Sequence, residues 1–415
     1  MKIKISSLLY IPIIILILNT TTRMMRYYGL LKWMLGFLCI TLIMLKVMQG
    51  KKINRLSGEN KLWLICVLFM WISSIYSINP DDTISYCSTI TIYSLILFVS
   101  IQPKFFLKLI DYLYIMLLIC MISIFANALI PDLMTNKLSF LVLEAIKPTL
   151  VSEVESGIYS GIFADRASAA FAMNLGFAIS LAKYKINENH KLIIAMICFY
   201  LAVLLTGKRT LAAIPIIMFF AVHLFAEKNK KRRNTYCMLS VLGIFLIVII
   251  SRIPAIAERF SRGGEDIWNS RTTVLWPVAL EMFYRNKLFG TGLNTFNAII
   301  RGINVSDLTL STWNYHAHNI YIQFLAELGI VGTLLMVSAF AVMLLQIIKI
   351  IKTTKELNVK YLAMISFTIQ ILWLVYGFTG NTFYYSAQVL CYLIAVKILG
   401  VCKNEQKKCR NTNFS

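Results

Sequence analysis

The chain has 415 residues, 58% of them hydrophobic and 14% charged, and its mean hydropathy is +0.71. That is more apolar surface than a soluble fold buries, so lipid must solvate most of the chain. A net charge of +22 would suit a nucleic-acid partner in a soluble protein, yet here the basic residues fall in short clusters between apolar runs, the pattern of membrane-orientation signals.

A bilayer core about 30 Å thick takes roughly 20 apolar residues per helix, and stretches of about that length recur along the sequence. Runs such as Leu192 to Leu205 and Leu242 to Ile250 are apolar on nearly every face and do not alternate as barrel strands do. The expected fold is therefore all-α and polytopic. Met1 to Lys4 and Leu8 to Leu18 resemble the start of a signal peptide, but Asn19-Thr20-Thr21-Thr22-Arg23 is a poor cleavage site, so an uncleaved first span is expected.

In chain order the expected spans are 5–19, 29–48, 61–79, 85–102, 107–130, 166–183, 191–206, 209–226, 236–251, 319–347, 361–379 and 383–401, about 12 transmembrane helices. They divide the chain into helices 1 to 5 in 1–130, a first long outer loop at 131–165, helices 6 to 9 in 166–251, a long outer catalytic loop at 252–318, helices 10 to 12 in 319–401 and a tail at 402–415. An even count puts both termini on one side. That side collects Lys51, Lys52, Arg55 and Lys61, then Lys104 and Lys108, then Lys183, Lys185 and Lys191, then Lys228 and Lys230 to Arg233, then Lys349 to Lys360. By the positive-inside rule it is cytoplasmic, although Arg23 and Arg26 on the opposite side depart from the rule. Of the nine cysteines, seven sit in or beside apolar runs and none has metal-ligand spacing, so they read as small hydrophobes.

The second loop is too rich in Trp, Phe, Leu and Ile to be disordered and should fold as a cap on the outer face. An amphipathic helix is expected from Thr272 to Tyr284, with Pro277 kinking it or delaying its start, and then a turn at Gly290-Thr291-Gly292. The spans themselves look nearly free of buried charge. Of the four histidines, His190 and His223 have ordinary placements, whereas His316 and His318 stand two apart at the mouth of a span. With no acidic or cysteine ligand at zinc spacing, neither a metal nor a cofactor is expected, and a general base is the better reading.

Cations on the outer side run against the trend and point to function. In Thr206-Gly207-Lys208-Arg209-Thr210 two of them occupy a minimal turn, and Arg209 has no acid near it in sequence. Its planar, permanent charge suits a phosphate oxygen. The long loop adds Arg252, Arg259, Arg262, Arg271, Arg285, Lys287 and Arg301 against Glu258, Glu265, Asp266, Glu281 and Asp307. This surplus beside a histidine suggests an anionic, phosphate-bearing substrate at the outer leaflet, with single arginines otherwise meeting lipid headgroups.

Four pieces then occur in order: Leu204 to Arg209, Ser270-Arg271-Thr272, Leu288-Phe289-Gly290-Thr291-Gly292-Leu293-Asn294-Thr295-Phe296, and His316-Ala317-His318-Asn319 leading to Glu327-Leu328-Gly329. Together they resemble the O-antigen ligase and polymerase superfamily, most strongly from about 160 to 335. The resemblance implies a GT-C-like membrane glycosyltransferase of the bacterial inner membrane. Such an enzyme moves a glycan from an undecaprenyl-diphosphate carrier to an acceptor hydroxyl, without metal. It implies His318 as the catalytic residue activating the hydroxyl, Arg209 and Arg271 as holding the diphosphate and stabilising the leaving group, and His316 as supporting. The turn departs from the Ser-Arg-Gly or Ser-Arg-Ala common in the family, and Lys208 is expected to share the phosphate role.

The acceptor would be another carrier-linked repeat in a polymerase or the lipid A-core in a ligase. Possible protein partners are a flippase or a chain-length regulator. Two long outer loops and the pairs Arg252 with Gly263 and Arg166 with Gly176 favour the polymerase. A transporter of lipid-linked glycans or anions is the competing class.

Overall fold

The computed structural model describes residues 5–18, 27–49, 58–227, 229–250, 271–302 and 315–412. Expectations resting on Lys2, Lys4, Arg23, Arg26, Lys51, Lys52, Arg55, Lys228, Arg252, Arg259, Arg262, Gly263, Glu258, Glu265, Asp266 and Asp307 lie outside those residues.

The described residues form helices and turns. The first helices are α1 (Tyr10–Leu18), α2 (Tyr28–Met48), α3 (Gly58–Ser73), α4 (Pro80–Ser94) and α5 (Pro103–Leu129). Then follow a short α6 (Lys147–Glu155), α7 (Arg166–Asn187), α8 (Lys191–Leu205), α9 (Arg209–Ala226) and α10 (Lys230–Ile250). After them come α11 (Trp276–Arg285), α12 (Phe296–Gly302), α13 (Ile320–Thr353), α14 (Leu357–Tyr376) and α15 (Ser386–Thr412). Each of the expected spans overlaps a helix, though 61–79 and 85–102 run past the ends of α3 and α4. Among the described residues six helices, α2, α5, α9, α13, α14 and α15, are long and apolar enough to cross a membrane, and the segments Ile5–Leu18 and Lys191–Leu205 are shorter apolar helices. The protein is a helical membrane protein.

Local chemistry moves some boundaries. α3 stops at Ser73 because the Ser73 and Ser74 hydroxyls donate back to the Met70 and Trp71 carbonyls at 2.7 Å. α4 begins at Pro80, which needs no amide hydrogen there, and Asn79 caps it by accepting from the Asp82 amide at 3.3 Å. Pro277 likewise sits in the first turn of α11, after a π-turn at Arg271–Leu275, so the amphipathic helix starts late. α15 runs on to Thr412, where a tail was expected, and Lys403 pairs with the buried Glu59 at 2.5 Å.

The aromatic core lies where α13, α14 and α15 meet, with Trp373 against Tyr392 at 4.6 Å and against Phe340 at 5.1 Å. Phe324 meets Phe383 at 4.9 Å and carries this core up to the turn between α14 and α15. Cys39, Cys66, Cys87, Cys120, Cys391 and Cys402 are buried among such side chains.

The helices carry more buried charge than their sequences suggest, because partners arrive from distant segments. Lys397 of α15 donates to the carbonyls of Leu97 and Val99 at 2.9 and 2.6 Å. Glu327 of α13 is 0% exposed. Just beyond it α13 breaks, since Gly329 takes φ 64° and ψ −169°. A helix break leaves backbone groups unpaired unless something else meets them. Here the turn after α11 does so. The amides of Thr291 and Gly292 donate to the carbonyls of Ala326 and Glu327 at 3.2 and 2.9 Å, and those of Ile330 and Val331 donate to Lys287 and Leu288 at 2.9 and 3.2 Å. A Cβ on Gly290 would lie 2.3 Å from the Glu327 carbonyl carbon, and one on Gly329 would lie 2.4 Å from the Leu288 carbonyl. The two chains cross there at backbone distance, which only glycine permits.

Candidate functional site

One end of the bundle gathers the start of α13, the turn between α14 and α15, the turn between α8 and α9, and the start of α7. Asn319 caps α13 by accepting from the amides of Tyr321 and Ile322 at 3.0 and 3.2 Å. The Ile320 amide donates to the Gly377 carbonyl at 2.9 Å, tying that cap to the turn after α14. His318, immediately before the cap, has φ 53°, a left-handed conformation that a non-glycine residue holds only when its surroundings enforce it.

The two histidines have different company. His318 Nδ1 lies 3.2 Å from Asn381 Nδ2. Asn381 Oδ1 is buried and has no hydrogen-bond partner among the described residues. The Asn381 amide therefore decides which ring nitrogen carries the proton. Turned by half a rotation, it accepts from Nδ1–H and leaves Nε2 with a free lone pair. His316 stacks on Tyr384 at 4.9 Å, and its Nδ1 lies 3.3 Å from Gln323 Nε2.

Gln323 belongs to a saturated network. Its Oε1 accepts from the Ala317 amide at 3.0 Å, and its Nε2 donates to Glu327 Oε1 at 2.9 Å. Glu327 also accepts from the Asn294 and Phe296 amides at 2.7 and 3.1 Å and from the Tyr384 hydroxyl at 2.5 Å. Its four donors come from α13 itself and from the two turns that frame the site. Trp276 of α11 adds a bond from Nε1 to the Ala317 carbonyl at 2.8 Å.

The cations form the other half. Gly207, at φ 67°, makes the turn after α8, and the Tyr159 amide donates to the Leu205 carbonyl at 3.0 Å, fastening the first long loop against it. Asp165 caps α7 by accepting from the Ala167 and Ser168 amides, both at 2.8 Å, and Arg166 Nε stands 3.4 Å from Glu153 Oε1. Lys208 lies within electrostatic reach of Arg166, Asp165, Arg271 and Glu153. Burial first, then Arg166 and Arg271, bring its pKa down to about 8. Arg271 is partly buried, its Nε has no hydrogen-bond partner among the described residues, and burial lowers its pKa.

These cations reach His318. Burial, then Arg271, Lys208 and His316, lower its pKa to about 3, and burial lowers that of His316 to about 4, so both rings are neutral at physiological pH. His318, Arg271 and Lys208 are thus brought together, with His316 beside them. Arg209, the first residue of α9, is exposed. Arg166, Asp165, Glu153, Asn381, Gln323, Glu327 and Tyr384 were not singled out from the sequence as site residues. Glu327 and Gln323 carried a signal as polar residues in an apolar run, and Arg166 carried one through its pairing with Gly176.

A helical membrane protein with a neutral histidine held beside partly buried cations suits chemistry on a phosphate-bearing substrate. Residues 194–337 match the O-antigen ligase family model. That stretch, about a third of the chain, holds Lys208, Arg209, Arg271, His316, His318 and Glu327, and it supports the resemblance to the O-antigen ligase and polymerase superfamily, whose members are glycosyltransferase-like enzymes. No curated protein matches the chain.

Proposed function

We propose that the protein is a twelve-span glycosyltransferase of the bacterial cytoplasmic membrane, with both termini cytoplasmic and the site on the outer face. It extends a surface polysaccharide by moving a glycan from undecaprenyl diphosphate onto the hydroxyl of a second carrier-linked repeat. The observation that carries this reading is the neutral His318 beside Arg271 and Lys208, two cations held in a half-buried site. Such cations stabilise charge that develops on a leaving diphosphate.

The acceptor hydroxyl gives its proton to His318, its oxygen attacks the anomeric carbon, and the bond from that carbon to the phosphate oxygen breaks. The electron pair stays on the diphosphate, facing Arg271 and Lys208. A bound diphosphate also offsets the two charges that depress the His318 pKa, so donor binding makes the imidazole a better base. Arg209, exposed at the start of α9, guides the anion inward, helped by the positive end of the helix.

Ligation to the lipid A-core is the second reading, favoured by the description of the matching family. Complementation of strains lacking either activity separates the two. Polymerase activity restores a ladder of chain lengths, and ligase activity restores transfer of the assembled glycan to the core. If neither strain regains glycan while the protein is present in the membrane, the transferase reading is wrong.

A further inference from the structure

The site needs a second seat, because a transfer reaction holds an acceptor as well as a donor. A cavity of about 200 Å³ lies between the end of α1, the start of α2, the start of α7 and the start of α15. Its lining includes Tyr28, Ser168, Phe171, Tyr385, Ser386 and Gln388, and none of the described residues that line it is charged. Among those residues a diphosphate would find no cation. The aromatic rings give flat apolar walls, and the hydroxyls and the amide give scattered polar points, a lining that suits a neutral sugar.

Gln388 makes the distinction from a lipid slot. The residue is 4% exposed, and its Oε1 has no hydrogen-bond partner among the described residues. A buried acceptor without a donor is costly, and a sugar hydroxyl would satisfy it where an acyl chain would not. The position also fits. Tyr384 forms part of the cavity wall and stacks on His316, and Tyr385, on the same wall, has its ring 6.5 Å from that imidazole. Tyr376 lies within electrostatic reach of both Tyr385 and Arg271. The cavity and the cation cluster therefore flank the histidine pair.

We propose that this cavity seats the terminal neutral sugar of the acceptor glycan; the proposal rests on the glycan-transfer reading above. Being smaller than the roughly 300–1,000 Å³ of typical small-molecule pockets, it holds a chain end and not a whole repeat.

The test uses the full-length protein in nanodiscs, carrier-diphosphate-linked repeat extracted from the source bacterium as donor, and the same repeat released from its carrier by mild acid as soluble acceptor. Gln388→Leu removes the buried acceptor atom and Ala387→Phe fills the space. Each should raise the acceptor KM at least tenfold while leaving the donor KM and the slow hydrolysis of donor by water unchanged. A raised donor KM with an unchanged acceptor KM would assign the cavity to the carrier lipid and overturn the proposal, as would no change in either variant. Should the wild-type protein neither transfer nor hydrolyse donor, the transfer reading itself has failed. Saturation-transfer NMR with the released repeat then decides the cavity separately: binding lost in Ala387→Phe supports a sugar seat, and binding equal in both proteins, or absent from both, refutes it.

Discussion

The two halves of the site differ in how their polar groups are met. Glu327 is fully buried and accepts from four donors, and Gln323 satisfies the Ala317 amide beside it. Arg271 is partly buried and its Nε has no partner among the described residues, while Lys208 faces Arg166 and Arg271 as well as two acids. A saturated network fixes geometry, whereas a partly buried cation with an unmet donor gains when a ligand completes it. The first half has the character of a scaffold, and the second is the half that the proposed function assigns to an anion.

The largest effect should separate chemistry from both halves. His318→Ala should lower transfer by about 10²- to 10⁴-fold, the usual worth of a general base, with the thermal midpoint in detergent unchanged. Full activity in that variant would remove His318 from the mechanism. Next comes Arg271→Gln, expected to cost about 10²- to 10³-fold in kcat, as loss of one electrostatic stabiliser does. Asn381→Leu, which frees the His318 ring, should cost roughly 10- to 100-fold, the range seen when reacting groups are misplaced; an unchanged rate would show that the ring needs no such support.

Glu327→Leu probes the scaffold. It orphans four donors at about 1–3 kcal/mol each, so stability and yield should fall before any kinetic constant can be read. A stable variant with normal KM and reduced kcat would instead move Glu327 into the chemistry. The smallest effect concerns pH. Lys208 loses its proton as pH rises through about 8, so donor binding should weaken above that value. Lys208→Arg keeps its charge and should retain donor affinity at pH 9. His318 stays neutral down to about pH 3, so no loss of activity from its protonation is expected between pH 5 and 8.

Much of this was legible in the sequence where the signal is local. The apolar runs marked the helices, Pro277 delayed α11, and the sequence singled out Arg209, Arg271 and His318, with Lys208 and His316 beside them, as candidate site residues. What was hidden depends on contacts between distant segments. Arg166 and Asp165 reach Lys208 only because the first long loop folds back on the turn after α8. Asn381 lies in what reads as a plain connector and Tyr384 at the start of an expected span, and nothing in their composition shows that they meet the start of α13. Lys208 and Arg209 differ in the same way: neighbours at a helix start, they have different surroundings, Lys208 being partly buried and Arg209 exposed.

The most direct measurement is donor binding by Arg271→Gln, Lys208→Gln and the double variant, read with carrier-linked repeat in nanodiscs beside the thermal midpoint of each protein. If the cation half is a diphosphate receptor, the double variant loses donor affinity by more than either single one while all three keep the wild-type midpoint. Unchanged donor affinity in a folded double variant would contradict it.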